Sequence, residues 1–205
     1  MNDFLQAALS FLSISDHPAC VAVSERLSAV DFSTDPDRSV TQHSKPLACR
    51  HLTEAFSSSN AIELTKHLAA ISDHLIWWEA PRGKISSLMD DNHAVVEIVG
   101  PDADFVSVKL RFGVFLLAPN TSYPLHSHSA EEIYVPISGS GQWRLQDSSY
   151  EPRQLGSVVH IRPWVPHAIR SSKEPMLLLW AWLGNIDFDA YQIEPNAFDE
   201  DGEPL

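Results

Sequence analysis

From about residue 93 onward the chain is a succession of short β-rich runs with no helical period between them, and this constrains the fold more than any other feature. The runs are HAVVEIVG (93–100), VKLRFGVFLLA (108–118), EEIYVPIS (131–138), GQWRLQ (141–146), SVVHI (157–161), HAIRSS (167–172) and MLLLWAWL (176–183). Turn signals separate them: APN at 118–120, SGSG at 138–141, QDSS at 146–149 and SSKEP at 171–175. So many strands in succession without intervening helices favour an antiparallel barrel or jelly roll over a parallel α/β sheet.

The first ninety residues read differently. Phe4, Ala8, Phe11 and Leu12 recur at helical spacing and predict a helix over 2–13, and a second helix is expected after Pro18. The segment 31–46, rich in Ser, Asp and Pro without a period, reads as a loop. A further helix is expected over 60–76, with Asn60 as cap and Leu64, Leu68, Ile71 and Leu75 on one face. The organisation read from the chain is a helical subdomain over 1–90 packed on a β-barrel over 91–195, followed by an acidic tail at 196–205 that contains the run DEDGE.

A chain of 205 residues can bury one full core. A formal net charge of −13 with only 14 Lys and Arg and no basic run excludes a grip on nucleic acid. No stretch reaches the roughly eighteen apolar residues of a membrane helix. The N-terminus carries Asp3 where a secretory signal would be basic, so a cytoplasmic location is expected. Cys20 and Cys49 form no CxxC pair and read as buried thiols.

The chemistry concentrates in YPLHSHSAEEIYVPISG, residues 123–139. On a strand, His126 and His128 share a face. Beyond a short turn Glu132 and Tyr134 share a face again, while Ile133 and Val135 point the other way. Two imidazoles and a carboxylate are a facial ligand set for a divalent transition metal, and His167, after Pro166, is the natural third imidazole. His160, alone in an apolar strand, reads as a core or supporting residue. His17, His43, His51, His67, His74 and His93 read as surface residues.

The pattern His126-x-His128-x3-Glu132-x6-Gly139 resembles the first cupin motif, and the interval from Gly156 to His167 is that of the second. Asn120 stands where the first motif has its leading glycine, Trp164 replaces a glycine before Val165-Pro166-His167, and Ser171 replaces the final asparagine. The resemblance implies a cupin, a double-stranded β-helix or jelly-roll barrel, preceded here by an N-terminal helical cap. With Tyr123 before the histidine pair, the strand EEIYV and the terminal WAWLGNI, the chain resembles the bacterial cupin lyases that cleave dimethylsulfoniopropionate (DMSP), best over 77–187.

That resemblance implies β-elimination of a small zwitterionic substrate to dimethyl sulfide and acrylate. It implies one divalent transition metal ion (Fe, Mn, Zn, Ni or Co) on His126, His128, Glu132 and His167. It further implies Tyr134 as the base, with Tyr123 as the other catalytic tyrosine, and Tyr123, Tyr134 and Trp182 around the substrate. The residue types suit the reaction, because a sulfonium cannot donate hydrogen bonds and is held best by aromatic faces, worth about 0.5 to 2 kcal/mol each. Trp77, Trp78, Trp143, Trp164 and Trp180 are expected mainly to pack the barrel and the cap interface. An iron-dependent cupin oxygenase and a non-catalytic metabolite-binding cupin are the competing readings, since a cupin site alone does not choose a reaction. The sequence is compatible with a homodimer and fixes no oligomeric state.

Overall fold

The computed structural model describes residues 1–32, 45–79 and 91–198. Among these, α1 (Asn2–Leu12), α2 (Pro18–Ser28), α3 (Leu52–Ser57) and α4 (Ile62–Ile71) precede the strands. The first two helices fall where apolar spacing predicts them. Pro18 opens α2, where its missing N–H costs nothing, and His17 caps it by accepting a hydrogen bond at Nδ1 from the Ala19 amide at 3.2 Å.

The third expected helix is shorter at both ends than the expected span 60–76. Ala61, not Asn60, occupies the cap position, and Leu75 is buried beyond the helix's end. Between the expected loop and this helix lie a 3-10 turn at Leu47–His51 and the short α3, held by tertiary packing around Ala48, Leu52 and Ala55 in turns too short to show a period. Most of the expected 31–46 loop and the DEDGE run lie outside the described residues.

The strands are β1 (His93–Gly100), β2 (Phe105–Val106), β3 (Arg111–Leu117), β4 (Ser122–Ser127), β5 (Ala130–Ser138), β6 (Gly141–Leu145), β7 (Glu151–Arg153), β8 (Val159–Ile161), β9 (His167–Ser171), β10 (Met176–Gly184) and β11 (Gln192–Ile193). Among the described residues they form two sheets, ordered β2-β1-β3-β10-β5-β8 and β11-β4-β9-β6-β7. Every pairing except β1 with β2 is antiparallel.

The six-stranded sheet is covered on both faces. Phe112, Val114, Leu116, Ile133, Val135, Leu177 and Leu179 pack against the helices in one core cluster. Their alternates Phe115, Leu117, Tyr134, Leu178, Trp180 and Trp182 face the second sheet in another. Two-sided burial explains why β3 and β10 are continuous apolar runs instead of alternating ones. Polar pins join cap to sheet: Ser59 Oγ donates to the Ile137 carbonyl at 2.5 Å, and Ser138 Oγ donates to the Ala55 carbonyl. Gly113 lets β1 and β3 approach, since a Cβ there would lie 1.8 Å from the Val96 carbonyl oxygen.

At the C-terminal end Ala197 is fully buried in a small cluster with Leu125 and Ala168 on the outer face of the second sheet, so the chain packs on the barrel past residue 196. No helix among the described residues is long and apolar enough to cross a membrane.

Two of the three motif departures occupy unusual backbone. Asn120 has φ 53° and Trp164 φ 62°, both left-handed, so each keeps the conformation that the motif's glycine would adopt. Asn tolerates this region well; a bulky side chain there costs roughly 1 to 2 kcal/mol. Trp164 is also 51% exposed, contrary to a packing role, and repays little of that cost through contacts. Its amide donates to the His128 carbonyl at 2.8 Å, which ties the turn before His167 to the turn after His126. Trp164→Gly is therefore expected to hold or raise the thermal midpoint, whereas β-branched Trp164→Val is expected to lower stability by about 1 kcal/mol or more. Parallel thermal melts of the two variants check this; equal destabilisation by both would contradict it.

Candidate metal centre and active site

His126 on β4 and His167 on β9 are direct cross-strand partners in the five-stranded sheet, with ring centroids 3.9 Å apart. His128 lies in the turn that leaves β4, and Glu132 comes from β5 of the other sheet. The four residues thus join the two sheets from inside the barrel. All are 2% exposed or less, and one ligand atom from each lies within 4.8 Å of every other.

Each imidazole is oriented by its own backbone. The Nδ1 atoms of His126, His128 and His167 lie 2.8, 3.1 and 2.9 Å from the carbonyls of Pro124, Ala130 and Val165. A carbonyl only accepts, so each Nδ1 carries a proton and each ring turns its Nε2 inward. The Nε2 atoms of His128 and His167 lie 3.0 and 3.1 Å from Glu132 Oε2. The His167 contact is close without hydrogen-bond geometry, which leaves this buried nitrogen with no partner. Imidazole nitrogens and a carboxylate converging on one point are a donor set complementary to a cation. The residues fit a divalent metal with nitrogen and oxygen preference.

The electrostatics couple the same groups. Burial opposes ionisation of Glu132, but His128 and then His167 outweigh it and hold the carboxyl well below the usual range. Burial, together with the neighbouring His167 and His128, pushes His126 well below its ordinary value, so it stays a neutral ligand-type imidazole. Trp182 is the cross-strand partner of Glu132 and donates its indole N–H to Glu132 Oε1 at 2.8 Å, while its ring lies 4.4 Å from that of His128. One carboxylate oxygen is thereby fixed by the indole and the other is left to the imidazoles.

Beside the cluster lies a cleft of about 400 Å³, counting the space at its mouth. Tyr123, Tyr134 and Trp182 all line it, as do His126 and Glu132. Trp78 and Trp180 pack in the inner cluster, as expected, and line the cleft as well; Trp77 and Trp143 are buried away from it. Sequence reasoning also missed Phe188 and Tyr191. Tyr191 stacks on His126 at 4.8 Å with 17° between planes, and its hydroxyl lies 3.1 Å from that of Tyr123. Neither residue belongs to a motif or a periodic run; the aromatic spacing in FDAY was the available signal.

Tyr123 reaches the cleft through an irregularity. Strict alternation would send it to the face opposite His126, but the β4–β9 register shifts between these two residues, and both point inward. The Tyr134 phenol lies close to Glu132, and burial, followed by the Glu132 charge, pushes it well above its ordinary value. Burial likewise raises Tyr123 and Tyr191.

Of the other histidines, His93 is a correction: it is fully buried at the start of β1, edge-on to Tyr123 at 5.4 Å. Its position opens an apolar strand, so the strand's burial takes the ring inward. His160 points away from the cluster and pairs through Nε2 with Glu131 Oε1 at 2.8 Å, with His17 5.2 Å from its ring. His43 lies outside the described residues. Cys20 is buried and Cys49 half-buried, and burial pushes the Cys49 thiol up to about 12.

Two antiparallel sheets closed into a barrel, with three histidines and a glutamate from the two motifs meeting inside, define a cupin. More narrowly, the DMSP lyase family profile matches residues 20–178, and the chain belongs to that family. It is 32% identical over 124 residues to DddL of Cereibacter sphaeroides, a match that covers 60% of this chain and 51% of that one. It is 30% identical over 99 residues to the DMSP lyase DddQ of Ruegeria pomeroyi, covering 47% and 48% of the two chains. The chain thus spans about half the length of the curated relatives it matches. A crystal structure from work on the DMSP lyases RdDddP and RnDddQII shares the fold, with a TM-score of 0.74 at 22% identity over 94% of this chain and 96% of that one.

Proposed function

We propose that this protein is a metal-dependent carbon–sulfur lyase that cleaves DMSP by β-elimination to dimethyl sulfide and acrylate, with Tyr134 as the base. The observation that carries the reading is the placement of the Tyr134 phenol against Glu132, inside an aromatic cleft and next to four convergent ligand atoms. Family membership supports the substrate class.

A divalent ion on His126, His128, Glu132 and His167 would supply Lewis acidity, stabilising negative charge on a bound carboxylate and favouring the phenolate of Tyr134. The chain's residues do the remainder. The walls formed by Trp78, Trp180, Trp182 and Tyr191 exclude water and offer ring faces to the sulfonium. Tyr134 Oη takes the proton from the carbon next to the carboxylate. That C–H electron pair becomes the new C=C bond, and the bond from the β-carbon to sulfur breaks with its pair passing to sulfur. The leaving group departs as a neutral thioether and needs no acid. Tyr123, held by Tyr191, keeps its proton under burial and serves to position the substrate.

The test is headspace detection of dimethyl sulfide with acrylate quantified in solution, using purified protein, DMSP and a panel of divalent metals under anaerobic conditions. Equimolar release of both products is expected. Substrate loss that requires oxygen and yields no acrylate would point to the oxygenase instead. Saturable binding without turnover under every metal would point to the metabolite-binding cupin.

A further inference from the structure

Arg111 opens β3 and is 7% exposed, an unusual burial for a guanidinium. Its Nη1 donates to both carboxylate oxygens of Glu97, at 2.9 and 2.7 Å. Its Nε donates to the Ile186 carbonyl at 2.7 Å. The guanidinium carbon stands 4.1 Å from the centre of the Phe188 ring. One side chain therefore grips the backbone and an aromatic ring of the segment that leaves β10.

That segment carries the cleft wall. Phe188 lies 4.9 Å from Trp182 and edge-on to Trp78 at 5.8 Å, and three residues later Tyr191 stacks on His126 and meets Tyr123. Between them runs a single 3-10 turn, Phe188–Ala190, followed by the two-residue β11. Such short elements hold a fixed position only through tertiary contacts. Glu97 is built in as firmly as its partner: a Cβ at Gly100 would fall 1.6 Å from Glu97 Oε1, so residue 100 leaves the space through which the carboxylate reaches Arg111.

We propose that Arg111, braced by Glu97, is the positioning residue for the cleft wall formed by Phe188 and Tyr191, and that it sets substrate affinity without touching substrate. The inference rests on the cleft being the substrate site, as in the proposed function. Lysine in place of arginine keeps the charge but loses the Nε donor and the planar fork.

The test is Arg111→Lys, with Glu97→Gln as a second variant should the first fail to fold. Three quantities are read on the metal-loaded protein: KM and kcat for DMSP, hydrogen exchange of the amides of residues 187–191, and bound metal. Expected are exchange about tenfold faster than wild type over 187–191 with β5 unchanged, KM raised about tenfold, kcat within about threefold and metal content unchanged. A folded variant with wild-type exchange in 187–191 overturns the proposal, as does an unchanged KM. A merely structural role would lower the melting temperature and raise exchange evenly across the barrel. Failure of the underlying reading shows separately, as wild-type protein that releases no acrylate while the exchange comparison stands.

Discussion

Tyr134→Phe is expected to abolish acrylate formation while leaving a folded, metal-loaded protein. The substitution keeps the ring that packs in the inner cluster beside Phe115 and removes only the hydroxyl near Glu132. Positioned proton transfer contributes about 10²- to 10⁴-fold to a rate, so kcat should fall by at least about a hundredfold. KM should change little, because the ring face offered to the substrate survives. Stability should rise slightly or hold, since the change also removes a polar atom from a buried site. The measurement is steady-state acrylate release alongside metal analysis and a thermal melt. Activity near wild type would remove Tyr134 from the base role and shift it to Tyr123, whose hydroxyl is already engaged by Tyr191.

His128→Ala is expected to have the second large effect, on metal content first and rate as its consequence. Perturbing the outer-shell partners of a ligand typically costs about 10- to 100-fold in metal affinity, so loss of a ligand should exceed that. The same change removes the group that does most to keep Glu132 ionised and strips the ring face on which Trp182 lies. The variant should copurify with well under one equivalent of metal and show no stabilisation on adding it. Wild-type protein at a hundredfold excess over its Kd should gain about 2.7 kcal/mol from the same ion. Full occupancy in the variant would overturn the ligand assignment of His128.

The paired expectations separate two roles within a few ångströms. Tyr134→Phe should lose rate with metal intact, and His128→Ala should lose both. A protein in which the phenol merely supported the carboxylate would lose metal in the first variant as well. The contrast is readable only because the imidazoles are oriented by backbone carbonyls, independently of Tyr134.

Much of this site follows from local rules. The spacing of His126 and His128 at the end of β4, and of Glu132 and Tyr134 on β5, indicates which side chains share a face, because a regular strand's side-chain period is two. The strand succession after residue 93 and the apolar stripes of α1 and α2 likewise follow from period and turn chemistry within a few residues of each other. Asn120 and Trp164, though not glycine, hold left-handed backbone because the turns around them demand it, so the motif's geometry survives its substitutions.

What only the tertiary structure decided is where the long-range pairs fall and where the period breaks. The register shift between Tyr123 and His126 brings Tyr123 to the same side as His126, against the alternation its neighbours obey. Pairing of β10 with β5 sets Trp182 against Glu132 fifty residues away and turns an expected aromatic wall into a hydrogen-bond donor to the ligand carboxylate as well. Phe188 and Tyr191 reach the cleft from a segment with no periodic signal, held there by Arg111 from another strand. Local spacing fixes faces because backbone geometry is local. Partners across the barrel are set by the closure of two sheets around one core, which no short window of sequence contains.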